Sequence, residues 1–235
     1  MSDQNRMPAV VDRATWQAER DVLLVREKTH THEGDAIAAA RRRLPMVEVD
    51  ATLTVVGPDG PVPLREVFEG RRQLIAYFHM WNDGGSAAEQ CGGCTFYNGQ
   101  VRELSYLHSR DVTYATFCQG RYEESVRYRD VMGWDVPWYS ARDRGDALLG
   151  GRWFGMVFYL RDGDRVFETY RTSGRGFEVM APSYGLLDMT VRGRQETWED
   201  SPAGWPQRWD VATGEQLHTD GRPTAQWSRP AAMSS

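Results

Sequence analysis

Lysine is almost missing from this chain: of 28 basic residues only Lys28 is a lysine, and the other 27 are arginines. Basic residues are also outnumbered, 28 against 33 acidic ones for a net charge of −5, so there is no positive field to gather phosphates. A nucleic-acid partner is therefore not expected. The arginine preference reads first as a composition habit of the source genome, with an arginine-lined anion site as the sharper alternative. No run approaches the roughly 18 to 20 apolar residues of a membrane span, and residues 1–16 hold no apolar run resembling a secretion signal. No membrane partner and a cytoplasmic location are the expectations. Cysteine is scarce as well: Cys91, Cys94 and Cys118 are too few for a disulfide framework. An odd count in a reducing compartment directs attention to redox or metal chemistry.

What is present is globular. Hydrophobic residues make up 40% of 235, with 9 Trp and 8 Phe, which supplies a sizeable core. At about 150 residues per domain the length fits one elaborated domain better than two. Trp16, Leu23, Leu24, Ile37 and Ala40 among charges make residues 13–43 two amphipathic helical stretches, broken near residues 29–34 and stopped by Pro45. His30 and His32 fall in that break; an extended segment would let them share a metal, although solvated loop histidines are commoner. Next come an alternating strand over residues 46–56, a turn at Gly57-Pro58-Asp59-Gly60, a short helix over 64–68 and a doubly buried strand, Leu74-Ile75-Ala76-Tyr77-Phe78. A helix over residues 91–109 and a buried strand over 112–117 complete a β-α-β unit. A helix over 122–132 closed by Gly133, an extended stretch over 136–139, a hairpin about Asp162-Gly163-Asp164 and a last helix over 177–187 follow. The expected organisation is a helical N-terminal extension over residues 1–45, a main domain over 46–196 and an irregular arm over 197–235. That arm carries Trp198, Trp205, Trp209 and Trp227 and is expected to pack on the domain, with its last ten residues loose.

Cys91-Gly92-Gly93-Cys94 lies between a buried strand and a helix, so both thiols belong at that helix's N-terminus, where the dipole and free amides favour thiolate. A C-x-x-C inside β-α-β is the thioredoxin-like arrangement, and β-α-β-α-β followed by a hairpin and a helix is the order of that α/β fold. Cys91 is then the exposed, more acidic nucleophile, and Cys94, one turn inside, resolves the mixed disulfide. Cys118 ends the strand after the motif and His79 the strand before it. Neighbouring strands would bring both to one sheet edge, so Cys91, Cys94, Cys118 and His79, with Met80 as a soft thioether, form an alternative zinc or copper(I) site. The plainer expectation makes Cys118 a small core residue and His79 a hydrogen-bonded one. Trp81, Phe96, Tyr97, Trp138 and Trp153 are expected to line an apolar substrate pocket before the dithiol, while several of them suit the core equally. Residues 80–90, rich in Gly, Asn, Asp and Ser, read as a mobile cover over the site. Arg121 and Arg152 near the same edge offer charge to an anionic substrate, with solvation the commoner role.

Longer segments carry a resemblance. Arg41-Arg42-Arg43-Leu44-Pro45, Phe68-Glu69-Gly70-Arg71-Arg72-Gln73-Leu74, the C-x-x-C, Met132-Gly133-Trp134 with Pro137-Trp138-Tyr139-Ser140, Leu160-Arg161-Asp162-Gly163-Asp164, and Leu187-Asp188-Met189-Thr190 with Gly193-Arg194-Gln195-Glu196 together resemble the DUF899 family. The resemblance spans roughly residues 10–200. It implies a thioredoxin-like fold related to the AhpC/TSA peroxiredoxin group and a pair of working cysteines; it supplies no substrate. Asp188, Arg194 and Glu196, from the family's shared C-terminal stretch, are expected to cap and tether the last helix. Two features depart from thioredoxins. The strand facing the dithiol begins Phe154-Gly155-Met156, without the proline that helps hold peptide substrates, and eleven residues, 80–90, separate strand and motif. Glu89-Gln90 also stand where a peroxiredoxin carries Pro and Thr, which makes peroxide the weaker substrate. The leading expectation is a thiol-disulfide oxidoreductase or peroxidase-like enzyme acting on a small-molecule substrate. It would require no cofactor, take electrons from an unidentified thiol donor, and have a homodimer as a candidate assembly. The alternatives are a copper or zinc protein and a non-catalytic partner protein using the tryptophan-rich tail.

Overall fold

The computed structural model describes residues 7–151 and 153–227, and the chain divides into two units: Met1–Pro45 with Ser201–Pro206, and Met46–Asp200 with Gln207–Ser235. In the first unit α1 (Arg13–Arg41) starts at Asp12, whose carboxylate accepts from the Thr15 amide at 2.7 Å. The helix runs unbroken through residues 29–34, against the expectation of two stretches. Thr29 and Thr31 donate their hydroxyls to the carbonyls of Val25 and Glu27 one turn back, each at 3.0 Å, which satisfies both inside the helix. His30 and His32 therefore sit two apart on a helix, a spacing that faces them away from each other, and the metal pair is not formed.

The second unit is built on eight strands: β1 (Val47–Val49), β2 (Thr54–Gly57), β3 (Gly60–Pro63), β4 (Gln73–His79), β5 (Val112–Cys118), β6 (Trp138–Ser140), β7 (Gly155–Asp162) and β8 (Arg165–Thr172). Their order in the sheet is β1-β8-β7-β4-β5-β6-β2-β3. Between and after them run α2 (Gly92–Gln100), the single turn α3 (Ser105–His108), α4 (Tyr122–Met132), α5 (Gly145–Leu149) and α6 (Pro182–Asp188). At the centre β4 pairs parallel with β5 and antiparallel with β7, which pairs antiparallel with β8. With α2 joining β4 to β5 and α6 following the β7–β8 hairpin, this is a thioredoxin-like α/β fold, widened by β6, β2 and β3 on one side and β1 on the other.

Three expected elements are divided, each for a local reason. The strand over 46–56 splits because the Asp50 carboxylate accepts from the Thr52 amide at 2.8 Å and hydroxyl at 2.6 Å, closing a turn that sends β1 and β2 to opposite ends of the sheet. The helix over 91–109 ends at Gln100. Asn98 and Gly99 are poor helix formers, and Asn98 is drawn to the sheet, where its Oδ1 accepts from the Thr116 hydroxyl at 2.7 Å. The last helix is a 3-10 segment, Gly174–Met180, followed by α6. Ala181 between them leaves the helical region, with φ −114° and ψ 77°, as the ring of a following proline demands, and Pro182 opens α6. Gly133 closes α4 as expected, with a left-handed φ of 61°.

Alternation along the central strands makes two cores. Leu74, Ala76 and Phe78 of β4 with Ala115 and Phe117 of β5 face one cluster, while Tyr77, Tyr114 and Cys118 face the other, where Tyr97, Trp134, Trp138 and Phe177 also lie. The dithiol helix packs on the second face. Arg194, nearly buried, ion-pairs with Asp188 at 2.7 Å and Glu178 at 3.1 Å and stacks 4.2 Å over the Tyr184 ring, so it tethers α6 as expected. Glu196, buried, accepts from the Trp198 indole at 2.6 Å. Within the described residues the arm carries a small hairpin, β9 (His218–Thr219) with β10 (Arg222–Pro223), and then a turn with Gln226. Gln226 is fully buried and donates to the Ala87 carbonyl at 2.6 Å and the Tyr128 hydroxyl at 2.8 Å, so it is held; residues 228–235, on which most of the expected loose stretch falls, lie outside the described residues. No helix among the described residues is long and apolar enough to cross a membrane.

Candidate functional site

β4 delivers the chain to the site and α2 receives it. Cys91 is the N-cap of α2: its Sγ accepts from the Cys94 amide at 3.3 Å, and its carbonyl accepts from the Thr95 amide at 2.9 Å and hydroxyl at 2.8 Å. Cys94, one turn along, is fully buried over Tyr77, with its Sγ accepting from the Met80 amide at 3.3 Å. All three cysteines are free thiols, and Cys91 is the one that keeps partial exposure.

Their electrostatics separate them. Hydrogen bonding from the Cys94 thiol, then from the Cys94 and Gly93 amides, lowers Cys91 from 9.0 to about 6, against a desolvation that works the other way; the charge of His218 assists. Burial, then the neighbouring Cys91 thiolate, pushes Cys94 well above the ordinary range. Cys118 is pushed up by burial to about 12. One thiolate at neutral pH, Cys91, with a protonated partner beneath it, is the arrangement expected of an attacking and a resolving thiol.

The four-ligand cluster of Cys91, Cys94, Cys118 and His79 is not formed. Cys118 pairs with His79 across β4 and β5 and lies on the dithiol's side of the sheet, but its Sγ accepts from the Gly120 amide at 3.3 Å. His79 turns Nδ1 to the Met80 carbonyl at 2.7 Å, and its ring lies among Trp138, Trp134, Tyr77 and Tyr128, where burial lowers it to about 4 and keeps it neutral. Among the described residues no three His, Cys, Asp or Glu side chains gather as a metal-holding group.

The five aromatics are dispersed rather than gathered. Trp81 lies 5.8 Å from Tyr128 and, with Gln90, Arg127 and Tyr128, lines a cavity of about 290 Å³ beside the motif. Phe96 packs on Tyr184 and lines a separate cavity with Arg102, Trp134 and Ala225. Tyr97 and Trp138 are core, Trp138 donating its indole N–H to the Ser125 hydroxyl at 2.9 Å. Trp153 belongs to the other face, against Phe78. The alternation of β4 puts Phe78 and Tyr77 on opposite sides, and that decides it. Arg121 precedes α4 on the surface, and Arg152 lies outside the described residues.

Residues 80–90 are braced rather than loosely laid. Gln90, fully buried, accepts from the Asn82 amide at 3.0 Å and donates to the carbonyls of Asn82 and Gly85 at 3.1 Å, while Ser86 and Glu89 form a reciprocal capping pair. Gln90→Ala is expected to raise amide exchange at Asn82 by about fivefold or more, as a lost buried hydrogen bond of roughly 1–3 kcal/mol implies. Unchanged exchange there would show that the loop is held by something else.

The largest omission of the sequence reading is the arm's seat on the motif. A β-carbon on Gly92 would fall 2.5 Å from Cε1 of His218 and 3.1 Å from the Leu217 carbonyl oxygen, and one on Gly93 would fall 3.5 Å from the Leu217 side chain. A side chain at 92 would have to displace the His218 ring, so glycine there suits the arm's seat. No local pattern joins residues 92 and 218; the glycine itself was the only signal.

A sheet of this order, carrying a C-x-x-C at the N-terminus of the helix after its central strand, defines a thioredoxin-like protein with an asymmetric dithiol. The chain belongs to the DUF899 family, described as bacterial protein of unknown function, which it matches over residues 5–212. Comparison with curated proteins gives no match. Among solved structures it is similar to the peroxidoxin BcpB from Mycobacterium tuberculosis, at 18% identity over 60% of this chain and 92% of that one, with a TM-score of 0.42. It is also similar to the bacterioferritin comigratory protein of Xanthomonas campestris, at 12% identity over 60% and 95% of the chains and a TM-score of 0.39. A third is BsSco, of the Sco family of cytochrome c oxidase assembly proteins, at 11% identity over 63% and 99% and a TM-score of 0.33. At such scores the fold stands on this chain's own strand order.

Proposed function

We propose that this protein is a thiol-disulfide oxidoreductase acting on a small molecule through Cys91 and Cys94. The observation that carries the reading is the asymmetry of the pair: Cys91, lowered to about 6, caps α2, and Cys94, buried and held protonated, waits one turn beneath. The Cys91 thiolate attacks one sulfur of a small disulfide, whose bond breaks and whose other half leaves as a thiol. The Cys94 sulfur then displaces the second thiol as the Cys91–Cys94 bond forms, so two electrons and two protons pass to the substrate. A small substrate is favoured because the arm lies on Gly92 and Gly93, right beside the attacking thiol. The strand opposite carries no cis proline; Phe154 stands there with φ 124°, held against Phe177 at 4.4 Å. Peroxide in place of the disulfide would make Cys91 a sulfenic acid on which Cys94 condenses, releasing water. The reading calls on no cofactor, and an external thiol returns the pair to the reduced form.

The test is to expose the reduced protein to a small aromatic disulfide and, separately, to hydrogen peroxide, and to map the products by peptide mass. A Cys91–Cys94 disulfide formed faster with the disulfide than with peroxide is expected. Failure of the disulfide to join the two cysteines would overturn the proposal.

A further inference from the structure

We propose that His218, supplied by the C-terminal arm, is the charge and proton partner of the Cys91 thiolate: as imidazolium it sets a positive charge beside the attacking sulfur and gives a proton to the leaving thiolate. The inference rests on the dithiol reading above and adds the group that moves its proton. Its first support is placement. The imidazole lies on the first turn of α2, with a Gly92 β-carbon position 2.5 Å from Cε1 and 2.8 Å from Nε2, so the Cε1–Nε2 edge lies against the residue that follows Cys91. Its second is the state of the ring. His218 Nδ1 lies 3.1 Å from the Gly214 carbonyl oxygen, which only accepts; Nδ1 therefore carries a hydrogen, and Nε2 is the position at which the ring takes up or gives up its second proton. The same carbonyl accepts from the Leu217 amide at 3.1 Å, and Gly214 holds the left-handed φ of 72° that the turn needs, so the ring's orientation is built in.

The charges around Cys91 point the same way. The titratable groups that interact with it are Cys94 on its own helix, Tyr77 on β4, Tyr128 on α4 and His218 on the arm. Of these four, His218 alone carries positive charge when protonated, and Tyr77 and Tyr128 are both pushed further from ionisation. The ring is also exposed, so the proton it takes exchanges with solvent. Residue 218 lies beyond the segment 5–212 matched by the family, which places this partner outside the family's shared stretch.

In the step, the Cys91 thiolate forms a bond to one sulfur of the substrate disulfide as the substrate S–S bond breaks; the leaving sulfur takes a proton from Nε2 of the His218 imidazolium, which regains it from solvent.

The experiment compares iodoacetamide labelling of Cys91 in the reduced full-length chain at pH 6.5 and pH 9, for the parent, His218→Asn and Leu217→Ala. His218→Asn should slow labelling about three- to fivefold at pH 6.5 and leave it unchanged at pH 9, where the thiolate is fully formed in both proteins. Leu217→Ala, which loosens the seat and keeps the imidazole, should speed labelling at both pH values without changing their ratio. An unchanged pH 6.5 to pH 9 ratio in His218→Asn overturns the proposal, as does an equal acceleration at both, which would make the arm a cover alone. If the parent never forms the Cys91–Cys94 disulfide yet the ratio shifts in the variant, the oxidoreductase reading falls and the pairing stands.

Discussion

Cys91→Ser is expected to abolish reaction with a small aromatic disulfide, whereas Cys94→Ser should complete the first step and stop at a mixed disulfide. The parent should release two equivalents of coloured thiol per chain, Cys94→Ser one with the other half retained on Cys91, and Cys91→Ser essentially none in the same time. The loss in Cys91→Ser is on the order of a thousandfold or more, because a nucleophilic thiolate has no substitute once it is removed. Cys94 is buried and protonated, and Cys118, pushed up to about 12, is buried over the Gly120 amide, so neither takes its place. Fast release from Cys91→Ser would reverse the assignment of the two thiols. The pH dependence has a definite sign. The folded value of Cys91, about 6, is below its ordinary 9.0, so the first step should be flat above pH 7 and fall as pH drops through about 6. By linkage the same ionisation stabilises the reduced fold fully above pH 9, and the contribution is lost as pH falls toward 6. Thermal melting of the parent against Cys91→Ser across that window reads it directly.

Phe177→Ala should lower stability by about 3–5 kcal/mol, the cost of emptying a buried aromatic site. For a protein of this length that corresponds to roughly 10 °C in Tm. Phe177 is fully buried in the 3-10 segment Gly174–Met180, with ring centroids 4.4 Å from Phe154 and 5.6 Å from both Tyr77 and Tyr97. It therefore joins three pieces of the site's floor: the end of β4 beneath Cys94, the dithiol helix, and the start of β7. The cavity should also loosen Cys94, detectable as faster alkylation of that thiol. Val179→Ala in the same segment, 78% exposed, should change stability by less than about 0.5 kcal/mol. Equal losses in the two variants would mean that the segment, not the ring, carries the stability.

The parts of the protein legible in its sequence are those written in short windows. Leu74 to Phe78 and residues 112–117 declare buried strands by continuous apolar runs, Gly133 closes a helix, and a C-x-x-C between strand and helix fixes which thiol caps the helix and is acidic. Each depends on neighbours within a few residues, so the residues themselves are enough. Local readings failed where a side chain answered to a partner far along the chain or to a competing local bond. Asp50 broke a strand, Thr29 and Thr31 kept a helix whole, and Pro182 divided another. The Cys91, Cys94, Cys118 and His79 cluster looked assembled because β4 and β5 are adjacent. Adjacency sets which face a residue joins and not where its side chain points once nearer hydrogen bonds, such as that from Gly120 to Cys118, are available. Trp153 was lost to the other core by strand alternation. Only the tertiary structure brought residues 214–227 onto the dithiol, 120 and more positions from Cys91 along the chain, seating Leu217 and His218 on Gly92 and Gly93 and burying Gln226 against Tyr128. A contact of that separation leaves no periodicity to read. Its trace in the sequence is a glycine whose missing side chain makes room for a residue that nothing nearby specifies.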